Sequence, residues 1–190
     1  MKLIKRIFIV IALIVALVYL VIIPYIHQET KKFSPAKTAQ LELKGSSLEV
    51  EYSSPSKKVR IIFGDLVPFG KVWRTGANEP TTFSTSQNIK IIDKILPAGK
   101  YSLWTVPNRN SWKVIFNTQI PDWGVTRVDG NQTTHDPRFD YLTVEVPVKT
   151  LENPVENFSI DFEHLKEGIQ QQDYLDLAWD TTKIMIPIYK

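Results

Sequence analysis

"LPAGKYSLWTVPNRNSWKVIFN", Leu96 to Asn117, is the stretch that decides the fold class. Pro97-Ala98-Gly99 breaks the chain, and Asn108-Arg109-Asn110 breaks it again. Between and after these turns lie Tyr101–Val106 and Trp112–Asn117. In the second run Trp112, Val114 and Phe116 stand at every second position, so they share one face of a strand. Aromatic and β-branched residues fill both runs, as a pleated, half-buried surface favours.

The same reading extends in both directions. Leu48, Val50 and Tyr52 alternate with polar partners, and Val59–Phe63 is a nearly continuous apolar run. Thr81–Thr85 and Asn88–Ile92 follow, with Asp93-Lys94 read as a turn. Further strands are expected over 141–146, 158–162, 175–179 and 184–188. Leu165–Asp173 is short and glutamine-rich and reads as a loop. Short strands about a dozen residues apart, with no long amphipathic helix, predict an all-β antiparallel sandwich of jelly-roll or immunoglobulin-like type. No repeat of fixed period is present.

The amino terminus is different. Ile7–Ile23, "IFIVIALIVALVYLVII", carries no charge, and Pro24-Tyr25-Ile26 extends it to the length of a bilayer core. Lys2, Lys5 and Arg6 precede it, which places the first residues in the cytoplasm. Lys31 and Lys32 weaken that asymmetry, while Tyr19 and Tyr25 suit the far interface. A cleaved signal peptide has a shorter apolar core and a small-x-small site; here only Ser34-Pro35-Ala36, well downstream, offers one. The expected organisation is a cytoplasmic tip (1–6), a transmembrane anchor (7–26), a polar linker (27–38) and a periplasmic or extracellular sandwich (39–190). The lipid bilayer is then the first partner.

The net charge of +3 belongs to the tip, because residues 27–190 hold 20 basic and 20 acidic side chains. That neutrality argues against a nucleic-acid binder. With no cysteine there is no disulfide framework, thiolate zinc site, cysteine nucleophile or acylated lipoprotein anchor. His27, His135 and His164 show no zinc-ligand spacing. In "VDGNQTTHDPRFD", Asp129, Asn131, Thr133 and Asp140 imitate a calcium loop, but Thr134 stands at the sixth position and the last ligand is not Glu. No cofactor and no metal is expected. No G-x-S-x-G, P-loop or dinucleotide fingerprint occurs.

"GKVWRTGANEP", Gly70–Pro80, is the densest cluster of candidate site residues. Alternation sends Val72 and Arg74 to one face, Trp73 and Thr75 to the other. On the structural reading Trp73 fills a core edge, Arg74 forks onto an internal acid, and Asn78-Glu79-Pro80 shapes a turn. On the functional reading Trp73, Arg74, Asn78 and Glu79 line a polar pocket with an aromatic wall. Trp104, Trp112 and Trp123 are candidates for core positions or for a carbohydrate-stacking surface.

Taken in order, "FGDLVPFGKVWRTGANEPTTFSTS", "LPAGKYSLWTVP" and "WKVIFNTQIPDWG", then "DPRFDYLTVEVPV" and "LAWDTTKIMIPI", resemble the family called domain of unknown function 2911. The likeness covers about Ser46 to Ile188. Asp65 and Phe69 stand where the family pattern has a second glycine and a tyrosine. The resemblance implies an exported bacterial β-sandwich and transfers no catalytic residue. The expected role is binding or envelope structure rather than catalysis, with an envelope carbohydrate or protein as the candidate ligand. The alternative is a hydrolase acting on an envelope polysaccharide or ester through paired carboxylates.

Overall fold

The computed structural model describes residues 2–125, 133–167 and 170–190. Two compact units divide the chain, Met1–Phe33 and Ser34–Lys190.

The first unit is helical throughout: α1 (Lys2–Leu17), a π-helical stretch (Val18–Ile22) and α2 (Ile23–Phe33). The π stretch sits just before Pro24, whose missing N–H removes a regular helical bond, and the Ile23 N–H bonds Val18 O instead. Leu3–Phe33 is long and apolar enough to cross a membrane. Its 31 residues span about 45 Å at the helical rise. The helix stops before Pro35, which biases Ser34 away from helical geometry. Residues 27–38 therefore divide between the end of α2 and the start of the first strand.

The second unit is antiparallel sheet. Its strands are β1 (Ala36–Leu43), β2 (Ser46–Ser53), β3 (Thr81–Thr85), β4 (Ile89–Ile91), β5 (Lys94–Leu96), β6 (Gly99–Val106), β7 (Ser111–Asn117), β8 (Asp140–Glu167) and β9 (Gln170–Tyr189). Among the described residues they run in the order β1-β2-β3-β6-β7-β8-β9-β4-β5, an open sheet folded into a sandwich. β8 and β9 make the fold possible. Their pairing is irregular between Thr150 and Ser159, and Asp180 takes a left-handed φ of 53°. β9 doubles back at that corner. Gln172 Nε2 consequently donates to Ile188 O at 3.0 Å, although sixteen residues separate them.

The core is aromatic. Trp73 stacks on Trp179 with ring centroids 6.0 Å apart, and Trp112 packs edge-on against Phe63 at 4.8 Å. Phe158 closes the cluster 5.1 Å from Trp73. Offset and edge contacts of this kind add to the burial of large apolar area. Trp73 Nε1 donates to Gly76 O at 3.0 Å and Trp179 Nε1 to Glu156 O at 3.2 Å, so both indoles are satisfied.

Several segments depart from the expected elements. Val59–Phe63 is not a strand: Val59 and Ile61 are exposed, and only Ile62 is fully buried. Arg60 turns the chain there by donating its Nε to Lys57 O at 3.1 Å. The continuous run misleads because only Ile62 and Phe63 reach the core. Of Leu165–Asp173, expected as a loop, residues 165–167 and 170–173 are the paired ends of β8 and β9, with Leu165 opposite Gln172, while Gly168 and Ile169 lie outside the described residues. Lys94, expected in a turn, begins β5. β1 was not anticipated, although Ala39, Leu41 and Leu43 alternate and are buried.

Candidate functional site

The chain before β3 runs alongside β6. Trp73 N–H donates to Thr105 O at 2.7 Å, and Thr105 N–H returns a bond to Trp73 O at 3.0 Å. This register sets the faces, because side chains alternate along each strand. Trp73 enters the aromatic core, and Thr75 Oγ1 lies 3.1 Å from Thr105 Oγ1 on the same side. Arg74 and Trp104 fall on the opposite, outer face of the sheet. Trp104 is fully buried yet lies outside the main core cluster.

Two left-handed residues hold this geometry. Thr75 has φ 57° and Asn78 φ 60°. Asn tolerates that conformation, whereas a β-branched Thr is strained in it. Thr81 Oγ1 donates to Thr75 O at 2.5 Å and helps fix the turn. Gly76 is required here: a Cβ would sit 2.8 Å from Ser53 O, at a φ of 147°. The buried Asn78 side chain approaches Ser34 O and Ser53 Oγ, both at 3.5 Å from its Nδ2.

A second segment covers the outer face. Gly124 N–H donates to Asn78 O at 3.0 Å, and Thr134 N–H donates to Gly124 O at 3.2 Å. Gly124 lies against the stem of Arg74 so closely that a Cβ would come within 2.2 Å of Arg74 Cδ. Thr134 Oγ1 donates to Trp123 O at 2.7 Å. Next in sequence, the His135 ring packs on Trp104 with centroids 5.4 Å apart. His135 Nε2 lies 2.7 Å from Asp140 Oδ1, which also accepts from Asn117 Nδ2 at 2.7 Å. Trp104 Nε1 donates to Ser102 Oγ at 2.7 Å, completing a buried polar layer.

Arg74 is the exception in this layer. Its guanidinium is largely buried, and burial lowers its pKa from the ordinary value. The acid partner expected from the sequence is missing: Arg74 makes no salt bridge among the described residues, and its enclosed Nε has no hydrogen-bond partner. Asp140, the carboxylate of this face, is engaged by His135 and Asn117.

The structure thus brings together Arg74, Trp104 and the Trp123-Gly124 segment. It sends Trp73 to the core and uses Asn78 as a turn residue. Trp104 and Trp112 present no face to solvent for stacking a sugar, while Trp123 is partly exposed. Glu79 is partly buried beside the turn. Asp129 and Asn131 of the calcium-like spacing lie outside the described residues. Sequence reasoning missed Ser102, Asn117, His135 and Asp140 as one network. Only the fold joins them, because they come from β6, β7, the segment before β8 and the first residue of β8.

Two other clusters carry titratable chemistry. Lys183 Nζ lies 2.6 Å from Asp176 and 2.7 Å from Glu163 inside the β9 corner. Burial and the adjoining Glu163 push Asp176 up to about 7, while hydrogen bonds from Asp176 and Lys183 hold Glu163 at about 2. Two carboxyls in direct hydrogen-bond contact are closer than the pairs that flank a scissile glycosidic bond. The pair reads as a clasp across the corner. Elsewhere His164 Nδ1 meets Asp173 Oδ1 beside a groove of about 410 Å³, with Lys44 and Lys190 on its walls and no Ser or Thr among its lining residues. Among the described residues no group of three or more His, Cys, Asp or Glu is placed to hold a metal.

Residues 34–188, which contain the whole Arg74 face and the β9 corner, match the family described as protein of unknown function (DUF2911). No curated protein and no solved structure matches the chain. With the match spanning the sandwich from its first strand into its last, the chain belongs to the DUF2911 family.

Proposed function

We propose that this protein is a membrane-tethered, extracytoplasmic binding module. The observation that carries the reading is the apolar helix Leu3–Phe33, whose most apolar stretch has no buried residue. A helix apolar on all sides has no polar face for water, and the bilayer is the solvent that suits it. Lys2, Lys5 and Arg6 at its start orient it with the tip in the cytoplasm. The sandwich then lies on the other side, as a periplasmic or extracellular domain. Binding is favoured over hydrolysis because the carboxyl pair in the β9 corner is already joined by Lys183.

The absence of native cysteine makes the orientation testable. Single Lys2→Cys and Lys190→Cys variants are exposed to a membrane-impermeant maleimide on intact cells with a permeabilised outer layer. The reading expects labelling of Lys190→Cys alone, and retention of the protein in the membrane after carbonate washing. Labelling of Lys2→Cys alone, or release of a shortened soluble chain, contradicts it.

A further inference from the structure

We propose that Arg74 is the anchor of an oxyanion-binding site on the outer face of the sheet, for a ligand that carries a carboxylate or phosphate. This rests on the binding-module reading and gives it a ligand class. Buried charges in proteins are ordinarily paired, so an arginine without a counter-charge requires an explanation. Arg74 has no carboxylate partner and no side-chain hydrogen bond among the described residues. Only Nε is both enclosed and unpartnered, so the Nη groups of the fork reach the surface.

The surroundings hold the Arg74 stem and do not neutralise its charge. Gly124 leaves room for the Arg74 stem and for nothing larger. The turn that carries Arg74 is held by the left-handed Thr75 and Asn78, and Asn78 O is tied to Gly124 N–H at 3.0 Å. Trp104 stands on the same face, with His135 packed on it and held by Asp140. A planar fork positioned in advance matches the two oxygens of a carboxylate or phosphate, and an immobilised side chain loses little entropy on binding.

The test uses the full-length protein in detergent micelles. Its thermal midpoint is followed against sodium acetate and, separately, sodium phosphate, each compared with sodium chloride at equal ionic strength. A saturable rise in Tm of about 2–4 °C above chloride is expected with at least one of the two anions. A response to acetate alone identifies a carboxylate ligand, and a response to phosphate alone a phosphate ligand. Arg74→Met should abolish the rise, and Arg74→Lys, which keeps the charge but loses the fork, should reduce it. The proposal is overturned if neither anion acts beyond chloride on the wild type, or if Arg74→Met responds as the wild type does. The wild-type titration decides the matter even if a variant fails to fold. Because it needs no bilayer, its failure is distinguishable from a failure of membrane anchoring.

Discussion

Trp73 and Arg74 are consecutive residues in opposite environments. Trp73 lies among Trp112, Trp179, Phe63 and Phe158, with its indole N–H bonded to Gly76 O. Arg74 lies under Gly124 on the other face, largely buried, with an enclosed Nε that bonds nothing. One face is apolar and closely packed, as a core that supplies stability must be, with the Trp112 indole N–H as its one enclosed donor without a partner among the described residues. The other holds a desolvated charge that no described group neutralises, which contributes nothing to stability. The difference separates what holds the fold from what the fold holds in place.

The largest effects should come from the inner face. Phe116 is fully buried and lies edge-on to Phe83 at 5.3 Å. Phe116→Ala should cost about 3–5 kcal/mol, measured by chemical denaturation. A loss below about 1 kcal/mol would mean that this face is not the stability-bearing one.

Gly124→Ala sharpens the comparison from the outer face. The new methyl must displace the Arg74 stem, for a cost of about 1–3 kcal/mol. In an Arg74→Ala background the same substitution should cost less, because the contacts with Cγ and Cδ are gone and only the 2.8 Å approach to the residue-74 Cβ remains. Equal costs in both backgrounds would show that Gly124 serves the backbone and not Arg74.

A smaller effect is expected at the β9 corner, and it depends on pH. Asp176 titrates at about 7 in the folded protein against an ordinary 3.8. The folded state therefore holds a proton that the unfolded state has released, and stability falls as pH rises from about 4 to about 7. Glu163, at about 2 against 4.5, acts oppositely: its contribution is present above pH 4.5 and is lost as pH falls towards 2. The pair, facing Lys183 and Lys149, should be most stabilising near pH 4. Asp176→Asn mimics the protonated form and should raise stability at pH 8 by about 1–2 kcal/mol. Thermal scans between pH 4 and pH 8 that show the same slope for wild type and variant would rule this out.

The alternation of Trp112, Val114 and Phe116, and that of Leu48, Val50 and Tyr52, was legible because one face of each strand is buried. The opposite directions of Trp73 and Arg74 were legible for the same reason. Val59–Phe63 misled because hydrophobicity alone does not say which residues of a run reach the core. The corner at Asp180 left no sequence signal, since its left-handed residue is an aspartate rather than a glycine. The doubled course of β9 could not be read without it. The partner expected for Arg74 was the most instructive miss. Sequence supplies many acids, but only the fold shows that Asp140 is taken by His135 and Asn117.

The stability of Arg74→Met in a chloride buffer free of carboxylate and phosphate separates a ligand-binding arginine from a structural one. An arginine that forms no internal ion pair leaves no orphaned acid behind when it is removed. Equilibrium denaturation should therefore place the variant within about 0.5 kcal/mol of wild type, or above it. A loss of about 3–5 kcal/mol, the cost of breaking a buried ion pair, would contradict the account and make Arg74 part of the scaffold.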